Sequence, residues 1–160
     1  MLDHRSLEIL DAARENGWVL EPDAKYMLAQ AGLPVPAYKW CRDADSALGW
    51  ARHVGFPVAL KVVSAQAMHK SDVGGVAVGI DSGAALVEVF ERFSKIDGFA
   101  GMLVVGMAAG VELIVGAKMD YQFGPIILLG IGGTGVEIYK DTAIRMAPLS
   151  EHHITSMVEG

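Results

Sequence analysis

The chain predicts an α+β fold, with helices gathered early and antiparallel strands late, in preference to a doubly wound sheet. Three observations carry that expectation. Apolar residues recur at helical spacing from Leu7 to Val54. Alternating or continuous apolar runs dominate from Met102 onwards. The joints Ala108-Ala109-Gly110 and Asp120-Tyr121-Gln122-Phe123-Gly124 are short and turn-forming, as hairpins require.

Each element follows from its own residues. Ser6 to Glu15 carries Leu7, Leu10 and Ala13 on one stripe and stops near Asn16-Gly17. A second helix starts at Pro22, a residue suited to a first turn, and ends at Gly32, with Ala24, Leu28 and Ala31 at helical spacing. Leu33-Pro34-Val35-Pro36 is extended, because each proline pushes its predecessor out of the helical region. Asp43 caps a third helix to about His53, with Ala47, Trp50, Ala51 and Val54 as its core face. Gly55-Phe56-Pro57 turns the chain into a strand, Val58–Val63, and Val76–Ile80 alternates as another. Ser82 then caps a helix whose Leu86, Val89, Phe90 and Phe93 follow the i, i+3, i+4, i+7 rule. The remainder reads as consecutive strands: Met102–Met107, Val111–Lys118, Pro125–Ile131, Val136–Tyr139 and Ala143–Ala147. The first two of these are expected to pair as a hairpin through Ala108-Ala109-Gly110.

Composition bounds the function. A chain of 160 residues holds about one ordinary domain or two small lobes. Its apolar fraction of 52% is high, yet the long charge-free stretches, Gly98 to Val111 and Tyr121 to Val136, are both shorter than the roughly 20 residues of a membrane helix. Asp3, His4, Arg5 and Glu8 interrupt any apolar leader, so neither a signal peptide nor a membrane anchor is expected. A net charge of −6 argues against nucleic acid as a partner, since no basic excess neutralises a phosphate backbone. The single Cys41 excludes an internal disulfide and points to a reducing cytoplasm.

The chemistry-bearing residues cluster between the two early strands. Lys61, mid-strand, shares a face with Ala59 and Val63, opposite Val58, Leu60 and Val62. It either points into solvent from an edge or faces a counter-anion, because an unpaired buried ammonium costs several kcal/mol. His69 and Lys70 follow on a polar loop, and Gly74-Gly75 close it. Read blandly, these are a surface histidine and an ordinary turn. Read together, two lysines, an imidazole nucleophile and backbone that approaches closely suit a polyphosphate. Glu112 falls on the face of Val111–Lys118 that also carries Ile114, Gly116 and Lys118, opposite the core-like Val111, Leu113, Val115 and Ala117. That face looks at a cleft or at water. A second glycine cluster, Gly130-Ile131-Gly132-Gly133-Thr134-Gly135, matches neither the dinucleotide fingerprint nor the Walker loop.

Several motifs in order resemble the ATP-grasp region of the nucleoside-diphosphate-forming acyl-CoA synthetases. They are Leu60-Lys61-Val62-Val63-Ser64, His69-Lys70-Ser71-Asp72-Val73-Gly74-Gly75-Val76, Gly110-Val111-Glu112-Leu113-Ile114-Val115-Gly116, Gln122-Phe123-Gly124-Pro125, Gly130-Ile131-Gly132-Gly133, Val136-Glu137-Ile138-Tyr139-Lys140-Asp141 and Arg145-Met146-Ala147-Pro148-Leu149. The likeness is collinear from about Leu20 to Gly160. The β-subunit of succinyl-CoA synthetase is a more distant relative.

The resemblance implies an ATP-grasp fold, with antiparallel sheets and helices on one side. It implies an N-terminal helical extension over residues 1–20 and a partial ATP-grasp domain of two small lobes over residues 21–160, the second lobe incomplete. It also implies a reversible reaction in which acyl-CoA, phosphate and ADP give the acid, CoA and ATP through a phosphohistidine. In that scheme His69 is the catalytic phosphoryl relay. Lys61, Lys70, Gly74, Gly75 and Glu112 belong to the nucleotide site, with ATP or ADP and Mg²⁺ as cofactors. No metal ligand is assigned within this chain. The partners implied are CoA-binding, α-type subunits or domains, and the oligomeric state stays open, a homo-oligomer included. Two departures stand out. Val104-Val105-Gly106 offers only backbone groups where relatives carry a polar adenine hinge, and no acidic residue followed shortly by asparagine occurs after Glu112. The C-terminal part of the fold is therefore expected to be missing. The alternative reading is a non-catalytic nucleotide-binding or assembly module, inactive alone.

Overall fold

In the computed structural model, the described residues are 2–67, 70–133 and 142–159. The chain forms two compact units, Met1–Ala108 and Ala109–Gly160. Both are built from antiparallel sheet and helix.

The first unit begins with α1 (His4–Asn16) and α2 (Glu21–Gln30). Asp3 caps α1 by accepting from the Ser6 N–H at 2.7 Å, and its other oxygen accepts from the Tyr26 hydroxyl of α2, also at 2.7 Å. The two helices are thus joined through one carboxylate. Next come β1 (Tyr38–Cys41), α3 (Ala44–Val54), β2 (Val58–Ser64), β3 (Val76–Ile80), α4 (Gly83–Phe93) and β4 (Phe99–Gly106). Asp43 caps α3 and Ser82 caps α4, each accepting from the N–H three residues on, as their sequences predict.

The four strands make one antiparallel sheet in the order β1-β4-β2-β3. One face, with Val58, Leu60, Val62, Met102 and Val104, packs against Ala47 and Ala51 of α3 and Leu86, Val89 and Phe93 of α4. Burying each of the larger side chains stabilises this layer by about 1.5–3 kcal/mol. The other face carries Ala59, Val63, Leu103 and Val105, and Leu20, Tyr38 and Trp40 pack on it. The Tyr38 hydroxyl donates to the Pro22 carbonyl at 3.2 Å, tying the start of α2 to that second face.

The second unit is a meander of β5 (Leu113–Asp120), β6 (Gly124–Ile131) and β7 (Thr142–Met146), followed by α5 (Glu151–Glu159). The β5–β6 turn forms where its residues predict. Asp120 accepts from the N–H groups of Gln122 and Phe123, at 2.9 and 3.0 Å, and those bonds hold its carboxyl below the usual range. The Arg145 guanidinium of β7 donates to Ser156 Oγ of α5 at 3.0 Å.

The structure adds two elements and changes two sequence expectations. β1 is a strand that the pattern did not reveal; it forms because the free edge of β4 accepts it in register from Tyr38↔Val105 to Cys41↔Met102. β4 and β5 are not a hairpin, since β4 is flanked by β1 and β2 while β5 pairs with β6 in a separate sheet. Residues 151–159 are helical, started by a reciprocal cap in which the Ser150 N–H donates to His153 Nδ1 and the His153 N–H to Ser150 Oγ. The face expected to be core on β5 is open, with Leu113 62% and Val115 70% exposed. The strand expected at Val136–Tyr139 lies outside the described residues.

Candidate functional site

Lys61 points from the middle of β2 onto the sheet face opposite α3 and α4. It sits across from Leu103 of β4 on one side and Val76 of β3 on the other. It is therefore a lysine of a central strand, and the edge-strand alternative does not hold. Only a polar partner makes that position tolerable, and the structure supplies one. Lys61 Nζ donates to Glu21 Oε1 at 2.9 Å. The second oxygen, Oε2, accepts from Lys70 Nζ at 2.7 Å. One carboxylate thus spans two ammonium groups from two separate segments.

The loop places Lys70 by a local mechanism. The Gly74 N–H donates to the Ser71 carbonyl at 3.1 Å and the Gly75 N–H to the Lys70 carbonyl at 2.7 Å. These nested bonds around a left-handed residue form a Schellman closure, and Gly74, at φ +65°, holds the left-handed position. Gly75 is required for a different reason. A Cβ there would collide with Cγ1 of Val62 and stand 3.1 Å from the Lys70 carbonyl oxygen. The Gly75 carbonyl then accepts from the Val62 N–H at 2.8 Å, so the chain enters β3 at Val76, directly opposite Lys61. In this arrangement the glycine amides bond within the loop, and what the pair does is bring Lys70 beside Lys61.

The cleft over these residues has a volume of about 540 Å³ and is lined by Trp18, Val19, Ala24, Val76, Ser71, Asp72, Glu21, Lys61 and Lys70. Side-chain exposure is 34% for Lys61, 24% for Glu21 and 11% for Lys70, so the ion pairs are partly withdrawn from water. Burial pushes the Glu21 carboxyl up, but the bonds from Lys70 and Lys61 outweigh it and hold the group below its ordinary value. Lys25, one helical turn beyond Glu21, has its ammonium over the Tyr38 ring, 5.5 Å from the centroid. Burial lowers its pKa, Glu21 works against that, and the charges of Lys61 and Lys70 add to it. Two lysines thus share Glu21, with Lys25 within reach of the same charges, on a chain of net charge −6. Two like-charged neighbours and one shared carboxylate make a site that a multivalent anion relieves.

In the second unit, Glu112 precedes β5 and is exposed. Its carbonyl accepts from the Gly132 N–H at 2.7 Å. A Cβ built on Gly133, at φ +69°, would lie 2.6 Å from Glu112 Oε2. The second glycine cluster therefore makes room for the glutamate. Of the residues singled out by sequence, Lys61, Lys70, Gly74 and Gly75 converge, Glu112 belongs to the other unit, and His69 lies outside the described residues. Glu21, Lys25 and Trp18 were not foreseen. The one signal for Glu21 was an acid beside Pro22 at a helix start, which reads as ordinary helix chemistry.

Comparison with known proteins identifies the family and the fold. Residues 11–160 match the family model of an ATP-grasp domain. The β subunit of acetate–CoA ligase (ADP-forming) I from Pyrococcus furiosus is 37% identical, the match covering 96% of this chain and 70% of that one. Acetate–CoA ligase (ADP-forming) I from Archaeoglobus fulgidus is 39% identical over 94% of this chain, which spans 23% of that longer protein. Among solved structures, an acetyl-coenzyme A synthetase of Candidatus Korarchaeum cryptofilum, in complex with coenzyme A and Mg-AMPPCP and with its phosphohistidine segment pointing towards the nucleotide binding site, superposes with a TM-score of 0.77. It is 38% identical, with 96% of this chain and 69% of that one covered. The chain is an ATP-grasp domain of the ADP-forming acyl-CoA ligase family.

Proposed function

We propose that this chain handles the nucleotide in an ADP-forming acid–CoA ligase, moving a phosphoryl group between a histidine and ADP while partner domains join the acid to CoA. The observation that carries the reading is the pair of partly buried ammonium groups, Lys61 and Lys70, aimed at one point of the cleft with Lys25 beside them. Phosphoryl transfer asks a protein mainly for position and countercharge, and this cluster supplies countercharge. In the proposed step a nitrogen of His69 carries the phosphoryl. An oxygen of the ADP β-phosphate attacks it, the N–P bond breaks as the O–P bond forms, and the imidazole leaves with the electron pair. Glu112 is proposed as a further residue of the nucleotide chemistry, and an α-type, CoA-binding subunit to complete the enzyme. Among the described residues no three His, Cys, Asp or Glu side chains gather into a metal site. Mg²⁺ enters this reading as the companion of the nucleotide phosphates.

Calorimetry with ADP and ATP, with and without Mg²⁺, tests the binding half. Lys61→Ala is expected to weaken nucleotide at least about tenfold, the loss of one charge-assisted hydrogen bond, while the exposed Lys95→Ala leaves it unchanged. Unaltered affinity in Lys61→Ala would leave only an assembly role. The catalytic half is tested by labelling the complete assembly with γ-labelled ATP. Acid-labile label mapped to His69 in the wild-type assembly supports the relay, and no label on His69 while labelling elsewhere is intact rejects it.

A further inference from the structure

The contact between Glu21 and the two lysines has a consequence for ligand entry. Its carboxylate presents two oxygens to Lys61 and Lys70 much as one edge of a phosphate would, at 2.9 and 2.7 Å. We propose that Glu21 is an internal phosphate surrogate, occupying the place of a nucleotide phosphate between Lys61 and Lys70 and giving way when the nucleotide binds. The inference rests on the reading of the cleft as a nucleotide site.

Three features support displacement over a permanent scaffold. Each ammonium has three donors, so sharing is possible in number, but a phosphate brought to the same two lysines lies against an ionised carboxylate and is repelled by it. Glu21 occupies the first turn of α2, where its backbone is held by the helix while its side chain reaches into the cleft. Rotation of that side chain therefore needs no movement of α2, whose start stays tied to β1 by the Tyr38–Pro22 bond. The tethered carboxylate also has an evident purpose without ligand. It keeps two partly buried like charges, with Lys25 close by, from standing unpaired.

A surrogate of this kind is a built-in competitor, so its removal tightens binding. The full chain carrying Glu21→Gln, which keeps length and shape but loses the charge, is expected to bind ADP about tenfold more tightly than wild type by calorimetry. Glu21→Asp, whose shorter arm cannot span both lysines, serves as a second variant and is expected to fall between the two. Lys70→Ala is measured in parallel and is expected to weaken ADP both in wild type and in combination with Glu21→Gln. If Glu21→Gln weakens ADP or leaves it unchanged while Lys70→Ala still weakens it, the surrogate is rejected and Glu21 is a fixed scaffold in a genuine nucleotide site. If none of the proteins binds ADP, both the surrogate and the nucleotide reading fall.

Discussion

Glu21 and Lys70, 49 residues apart in sequence, meet at 2.7 Å, and Lys61 takes the other oxygen of the same carboxylate. That three-residue contact joins the start of α2, the middle of β2 and the loop before β3. It fixes the charge distribution of the cleft and contributes to the stability of the first unit.

The pH dependence of that contribution has a definite sign. The Glu21 carboxyl is held below its ordinary value of 4.5, the bonds from Lys70 and Lys61 outweighing burial. A depressed carboxylate contributes stability that is complete above the unfolded pKa and is lost as pH falls through the folded one. Glu21→Gln is therefore expected to be less stable than wild type at neutral pH by about 1–3 kcal/mol, the loss of charge-assisted bonds in a partly buried pair. Below pH 4.5 the gap narrows, and it closes once the pH lies under the folded value. Urea unfolding of the two proteins across the acid range checks this. A gap that is constant with pH would show that the titration of Glu21 is not its origin.

Gly75 offers a steric test of the loop. The methyl of Gly75→Ala would meet Cγ1 of Val62, a fully buried residue of β2, and crowd the Lys70 carbonyl. The expected cost is about 1–3 kcal/mol from overpacking. In a Val62→Ala background the same change is expected to cost less, because the colliding methyl is gone, though the Lys70 carbonyl remains close. A double-mutant cycle by chemical denaturation reads the coupling directly. Equal cost in both backgrounds would place the role of Gly75 elsewhere.

What was legible in the sequence, and what was not, divides by the range of the interaction. The caps Asp43 and Ser82, the Leu86–Phe93 stripe and the β5–β6 turn are local chemistry, and each forms where its residues put it. The face of Lys61 followed from alternation alone, and the glycine pair correctly marked a turn beside it. β1 escaped because a four-residue strand is decided by the open edge of β4, which no local pattern encodes. α5 escaped because its cap is a reciprocal pair, Ser150 with His153, rather than an acid or hydroxyl ahead of a marked apolar stripe, and no element was assigned there. Glu21 was invisible for the same reason as β1. Its role depends on partners 40 and 49 residues away, and in its own neighbourhood it is only an acid at a helix start. The apolar alternation of β5 was correct as a strand signal and misleading as a burial signal, since alternation states which residues share a face and not whether anything covers it.

Cys41 is a built-in reporter of unfolding. It is buried in β1, its thiol is pushed up by burial, and Sγ lies 3.8 Å from the Lys39 carbonyl. Alkylation of the native chain is expected to be roughly a thousandfold or more slower than in denaturant, because the reagent reaches sulfur only through an opening that costs several kcal/mol. Mass spectrometry of timed iodoacetamide reactions measures it. Gly75→Ala should label faster in proportion to its lost stability if the first unit opens as one body. Rapid labelling of the native wild type would show that β1 leaves the sheet edge on its own.

Glu112 is held by a different device, and it can be tested without touching the carboxylate. The Gly132 N–H fixes the Glu112 carbonyl at 2.7 Å, and the bare Cα of Gly133 leaves the space beside Oε2. Gly133→Ala would put a methyl carbon 2.6 Å from that oxygen, against a flexible side chain that can swing away. It also places alanine at φ +69°, which costs about 1–2 kcal/mol. If Glu112 serves phosphoryl transfer as proposed, moving its carboxylate by about an ångström is expected to lower the rate of the assembled enzyme by about 10–100-fold, as such misplacements do. Glu112→Ala should produce a similar loss, and the double variant should be no worse than Glu112→Ala alone, because both changes remove one and the same function. Losses that multiply in the double variant would mean that the glycine acts through something other than the glutamate it accommodates.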